Sequence, residues 1–226
     1  MLRRDYILRM IEEFVQTLAR LKALKNEQRW GEVSEKLEDG FKKLLGEGAQ
    51  TATRLSEEEL RVRLMQEGPT QLVREKTLML ATLLKEAGDV AAAEGKLDEG
   101  RNCHLKSLHL LLGELEEDDI FECPAFIPKI EALTAALRGA PPPLPVRTCA
   151  MLMQHYERAG EFAKAEDALF AMLEAEPDNG RVVDFGIAFY HRLLAKTDDA
   201  LTVAGLPRAE VEDGLKELQS RLKPGA

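Results

Sequence analysis

At 226 residues, 45% hydrophobic and 31% charged, the chain is long enough for one domain or two small subdomains sharing a core. A net charge of −9, with Lys and Arg dispersed among carboxylates, leaves no basic face of the kind nucleic acid requires. Aromatics are only 5% while Leu and Ala abound, so the composition favours helices over sheets.

The first helix is predicted from about Asp5, where Ile7, Ile11, Phe14, Leu18 and Leu21 recur at steps of four and three along one face. That stripe is expected to pack on the rest of the domain, with a second copy of the chain as its alternative cover. A second helix spans Trp30 to Leu45 and stops in Gly46 and Gly48. Ser56 and Glu59 form a capping box for a short helix that ends near Gly68-Pro69. Thr70 is read as the cap of a long helix through Ala93, broken at Gly95. Another runs from Leu97 to about Leu115, before the acidic run Glu116 to Asp119. Residues 125–138 read as helix with Pro128 in the first turn, where its missing N–H does no harm.

Residues 140–145, rich in proline, read as a stiff linker between an N-terminal region (1–139) and a C-terminal region (146–226). Pro142 and Pro145 fit a PxxP pattern, but the linker reading explains the segment more simply. Helices follow over 146–159, 161–175 and 180–196, and a last one starts at Pro207 and fades before Pro224. Asp178-Asn179-Gly180 supplies a turn between two of them.

Leu152 and Tyr156, then Gly160, Phe162, Ala165, Leu169 and Pro177, fall at the spacings of a helix, a tight glycine turn, a second helix and a terminating proline. Gly160 tolerates positive φ, Phe162 and Tyr156 fill the space between the helices, and Ala165 lets them approach. This pattern resembles the tetratricopeptide repeat. Cys149 and Met153 depart from it, standing where a large aromatic and a small residue are usual. A weaker copy runs through Leu84, Gly88, Ala91, Gly95, Leu97, Gly100 and His104. Val183, Gly186 and Tyr190 begin a third, which lacks the glycine turn at the matching place, and Trp30, Val33 and Leu37 are a faint echo near the N-terminus. The resemblance implies an all-α fold of helix hairpins stacked as a short right-handed solenoid. The opening Leu2 to Phe14 also resembles the start of a bacterial family of uncharacterised helical proteins, which implies no mechanism.

Several chemistries find no support. Cys103, His104 and His109 share one predicted helix, but steps of one and five do not converge on a metal, so neither metal nor cofactor is expected. Cys103, Cys123 and Cys149 are odd in number and widely spaced, which favours reduced thiols in a cytoplasmic protein over a disulfide framework. No signal peptide is predicted, because Arg3, Arg4, Asp5 and Arg9 interrupt the first residues. No uncharged apolar run reaches the ~20 residues that span a bilayer. Phosphate loops and nucleophile elbows are absent, so no catalytic residue is assigned and the chain is not read as an enzyme.

Binding remains. In tetratricopeptide proteins the first helices of successive hairpins line a concave face that holds peptides or partner helices. The matching polar residues here are Arg147, Gln154, Glu157 and Arg158, then Arg181, Asp184, His191 and Arg192, with Lys85 and Asp89 as earlier counterparts. Arg147 and Arg158 lie three helical turns apart, and Arg181 and Arg192 repeat that spacing 34 residues later. Asp89 and Ala150 do not match the family's peptide-carboxylate clamp. The expected function is therefore a protein-binding adaptor that holds a peptide or helix on this concave face, the arginine rows suiting an acidic peptide. A self-associating structural protein, joined through the first helix, is the rival; an enzyme with a dispersed site ranks third.

Overall fold

The computed structural model describes residues 2–66, 72–114, 125–139 and 141–222. Gly68-Pro69, Thr70, Glu116 to Asp119, Cys123 and Pro224 lie outside the described residues. Among the described residues there are twelve helices and no strand. They are α1 (Leu2–Asn26), α2 (Trp30–Leu45), α3 (Ala49–Arg54), α4 (Glu57–Gln66), α5 (Val73–Ala93), α6 (Leu97–Glu114), α7 (Ile130–Arg138), α8 (Val146–Arg158), α9 (Phe162–Ala175), α10 (Gly180–Leu194), α11 (Asp198–Val203) and α12 (Arg208–Leu222). The chain divides into two compact units, Met1–Ala140 and Pro141–Ala226.

One turn recurs. At Gln28, Gly95, Gly160 and Gly205 the backbone takes φ of +56°, +78°, +73° and +76°. In each case that residue's N–H donates to the carbonyl three residues back, as Gly160 does to Glu157 (3.1 Å) and Gln28 to Lys25 (3.0 Å). The next N–H reaches back five, as Glu161 to Tyr156 (2.9 Å) and Arg29 to Leu24 (3.0 Å). This Schellman arrangement satisfies the last carbonyls of one helix and turns the chain through a few residues. It builds the hairpins α1–α2, α5–α6 and α8–α9. At the fourth site it links α11 to α12, and the helix paired with α12 is α10. A glycine turn absent from the spacing expected of a third repeat occurs later, at Gly205, after α11, which is capped by Thr197, whose Oγ1 accepts from Ala200 N–H.

Unit 1 is organised around α5. Every residue from Lys76 to Leu84 is buried, so this stretch is covered on all sides rather than on one stripe. Its hydroxyls are satisfied locally, Thr77 donating to the Val73 carbonyl and Thr82 to that of Leu78, while Ser107 on α6 donates to the Ala81 carbonyl. The axes of α5 and α6 approach at two glycines. A Cβ on Gly100 would stand 2.9 Å from the Gly88 carbonyl, and one on Gly88 would meet the His104 ring at 2.4 Å. The weaker repeat therefore closes on His104 over Gly88. Leu97, in the place of Phe162, is 66% exposed and plugs nothing.

The capping box forms as its residues dictate: Ser56 N–H donates to Glu59 Oε2 (2.7 Å) and Glu59 N–H to Ser56 Oγ (3.2 Å). The short α3 ahead of it ends on the buried Lys106, whose ammonium donates to the carbonyls of Thr53 and Leu55. Helix α7 begins at Ile130, after an extended Lys129. Pro128 thus precedes the helix instead of opening it, since the extended backbone at Lys129 places the start after it.

In unit 2, Tyr156 and Phe162 are buried between α8 and α9, and Ala165 is fully buried. Tyr190 on α10 is buried against Gly214 on α12, where a Cβ would come within 2.4 Å of its hydroxyl. That hydroxyl donates to Glu166 (2.6 Å), whose carboxyl is pushed up by burial in spite of this bond.

A half-buried ion network ties α1 to α5 and α6. Lys25 donates to Glu86 (2.7 Å) and Asp89 (2.6 Å), Lys85 contacts the same two carboxylates, and His104 Nε2 lies 3.2 Å from Asp89. Burial alone would raise the Asp89 carboxyl. The hydrogen bonds from His104, Lys25 and Lys85 outweigh it and hold the group below the ordinary carboxylate range.

These features generate three expected outcomes. Gln28→Gly relieves a side chain held in left-handed backbone and stabilises by up to about 1 kcal/mol, whereas Gly160→Ala costs roughly 1–2 kcal/mol; urea denaturation reads both. Ala165→Leu overpacks the α8–α9 interior and costs roughly 1–3 kcal/mol by the same assay. Because Asp89 is depressed in the folded state, its contribution is present above the unfolded aspartate value of ~3.9 and is lost as the pH falls towards the folded value. Asp89→Asn therefore destabilises at pH 7, and its deficit shrinks between pH 4 and pH 2, as parallel denaturation curves would show.

Candidate functional site

The α8 and α10 faces carry the residues singled out in the sequence. Arg147, Gln154 and Arg158 on α8, and Arg181, Asp184, His191 and Arg192 on α10, are all exposed. Helical spacing puts Arg147, Gln154 and Arg158 on one side of α8, and Arg181 and Arg192 on one side of α10. The two helices are joined across their faces. Arg192 donates from Nε to Glu157 Oε1 (2.6 Å) and from Nη2 to Glu157 Oε2 (2.8 Å), a two-point fork. This corrects the reading of four equivalent cations, since Arg192 is engaged within the fold. The pair links the C-terminal ends of α8 and α10, while α10 itself packs on α9 and α12. Among these positions there are four arginines and two carboxylates, Glu157 and Asp184, so the set carries net positive charge.

Unit 1 holds a second feature, which the sequence reading missed. Between α1 and α5 lies a cleft of about 760 Å³ walled by Ile11, Val15 and Leu18 of α1, Thr82 of α5, and Phe126 and Pro128. Phe126 is anchored edge-on to Phe14, with ring centroids 5.3 Å apart. Lys22, Lys25, Lys85 and Glu86 line its charged end. Of the first hairpin it is α2, not α1, that packs on α5, and the cleft lies where α1 stands off. Helix α1 reaches α5 through the Lys25 bridges near its C-terminus. The available signal was a second apolar row, Leu8 and Val15, beside the first stripe. It makes α1 apolar over a wider arc than packing on α2 requires.

Counting back from the left-handed turn residue sets these two places in register. Lys25 precedes Gln28 by the same three residues that separate Glu157 from Gly160, and each bridges to the first helix of the next hairpin. By the same count Val15, Leu18 and Lys22 stand where Arg147, Ala150 and Gln154 stand. Equivalent faces are thus apolar in unit 1 and polar in unit 2.

The cysteines and histidines are placed apart in their contacts. Cys103 is buried and its thiol is pushed up to about 11 by that burial, which suppresses the reactive thiolate. Cys149 is buried with its sulfur 4.0 Å from the Leu144 carbonyl. His104 lies on Asp89, and His109 Nδ1 lies 2.7 Å from Glu57. Among the described residues, no group of three or more His, Cys, Asp or Glu side chains is arranged to hold a metal ion. Among them too, no helix is long and apolar enough to cross a membrane.

No curated protein and no solved structure matches the chain. The profile of a family of unknown function, DUF6483, matches residues 1–223. A match of that extent places this protein in the DUF6483 family.

Proposed function

We propose that the chain is a tetratricopeptide-like interaction module that holds an acidic peptide or partner helix across α8 and α10. The carrying observation is the Glu157–Arg192 fork, which links the first helices of neighbouring hairpins, with Arg158 and Arg181 displayed one from each. A net-positive patch on a chain of net charge −9 selects acidic ligands over the protein's own surface. The recurrent left-handed turns support the repeat reading, with hairpins following one another as a short right-handed solenoid. An adaptor of this kind needs no catalytic group and no cofactor. A reducing, cytoplasmic setting belongs to the same proposal and accords with the buried free thiols Cys103 and Cys149.

Capture of acidic polypeptides from a native lysate by immobilised protein tests this reading. Arg158→Glu with Arg181→Glu is expected to abolish capture while leaving the melting temperature nearly unchanged, because both side chains are exposed. Wild-type capture should weaken as salt rises, since exposed charges are screened over ~10 Å at 0.1 M. Arg192→Glu is expected to differ by lowering the melting temperature, because it sets two carboxylates together where the fork was. Undiminished capture by the Arg158/Arg181 double variant overturns the assignment of this face.

A further inference from the structure

Helix α1 carries one open apolar face. Leu8 and Val15, seven residues apart and so on one line of the helix, are 50% and 44% exposed, and the first buried side chain described on the helix is Phe14. The N-terminal half thus presents an apolar stripe that unit 1 leaves open, although helices derive most of their stability from packing such a face. The same face continues into the cleft walled by Ile11, Val15 and Leu18. On it Glu12 and Lys22 stand on opposite sides of Val15, so a half-turn about Val15 brings opposite charges towards each other.

From this pairing we infer that the chain forms a two-fold symmetric dimer in which α1 of each copy lies antiparallel in the cleft of the other. With the axis at Val15, the two Val15 side chains meet, Ile11 faces Ala19 of the other copy, and Leu8 lies along the Lys22 stem. Ala19 is small and exposed, so the helices can approach closely there. Lys22 then comes within about one turn of Glu12 of the other copy, and the antiparallel arrangement opposes the helix dipoles. A two-fold contact uses one patch twice, so a single pairing covers the open face of both copies. The inference does not rest on the α8–α10 face.

Sedimentation equilibrium on the full chain tests it. Wild type should run at twice its 25.2 kDa. Val15→Glu sets like charges on the axis and should give a monomer, while Val62→Glu, at an equally exposed apolar site on α4, should remain dimeric. Val15→Cys, a mild change that preserves the fold, should form an interchain disulfide under oxidation that wild type and Val62→Cys do not. The Arg158/Arg181 double variant should keep the dimer mass, which separates failure of this inference from failure of the ligand assignment. A monomeric wild type, a dimer untouched by Val15→Glu, or absence of the Val15→Cys crosslink overturns it.

Discussion

A helix that folds back on its neighbour within a few residues must place one residue in left-handed backbone and find donors for its last carbonyls. That constraint is met four times, at Gln28, Gly95, Gly160 and Gly205, by the same pair of backward hydrogen bonds. Because the turn fixes where each hairpin reverses, it also fixes which side chain stands three residues before the reversal. At the first turn that is Lys25 and at Gly160 it is Glu157, and both reach the first helix of the following hairpin. At Gly95 and Gly205 the same place holds Ala92 and Thr202, so the turn sets the position and the residue there sets whether a bridge forms.

Much of this was legible in the residues. The 3.6-residue periodicity located most of the helices, the Ser56–Glu59 box is a local motif that needs no tertiary context, and Gly160, Phe162 and Ala165 carry their packing roles in their sizes. The parts that were not legible depend on tertiary contacts or on exceptions to residue preference. Gln28 does the work of a glycine, so a search for glycine turns passes over the first hairpin. Helix α3 is too short for periodicity to mark, and its end is satisfied by Lys106 from more than fifty residues away. Helix α11 stands ahead of the turn at Gly205 and moves it away from the spacing of the earlier turns.

The candidate site divides in the same way. Exposure of the α8 and α10 polar residues follows from their position off the packing stripes, which spacing reveals. The engagement of Arg192 by Glu157 depends on two helices meeting, which spacing alone does not reveal. The cleft is harder still, since it arises where α1 stands off from α5, and an absence of contact leaves no mark in periodicity. Only the breadth of the apolar arc on α1 hints at it.

The reversed sign of the two bridges bears on how the chain sorts its own hairpins while folding. Repeats that resemble one another risk docking in the wrong order, because their apolar contacts are nearly interchangeable. Here the first hairpin ends its lead helix on a cation that seeks Glu86 and Asp89, and the α8–α9 hairpin ends its lead helix on an anion that seeks Arg192. Exchanging them would press Lys25 against Arg192 and Glu157 against two carboxylates. Each mistaken neighbour meets a charge like its own, so a small difference at one position marks which hairpin follows which.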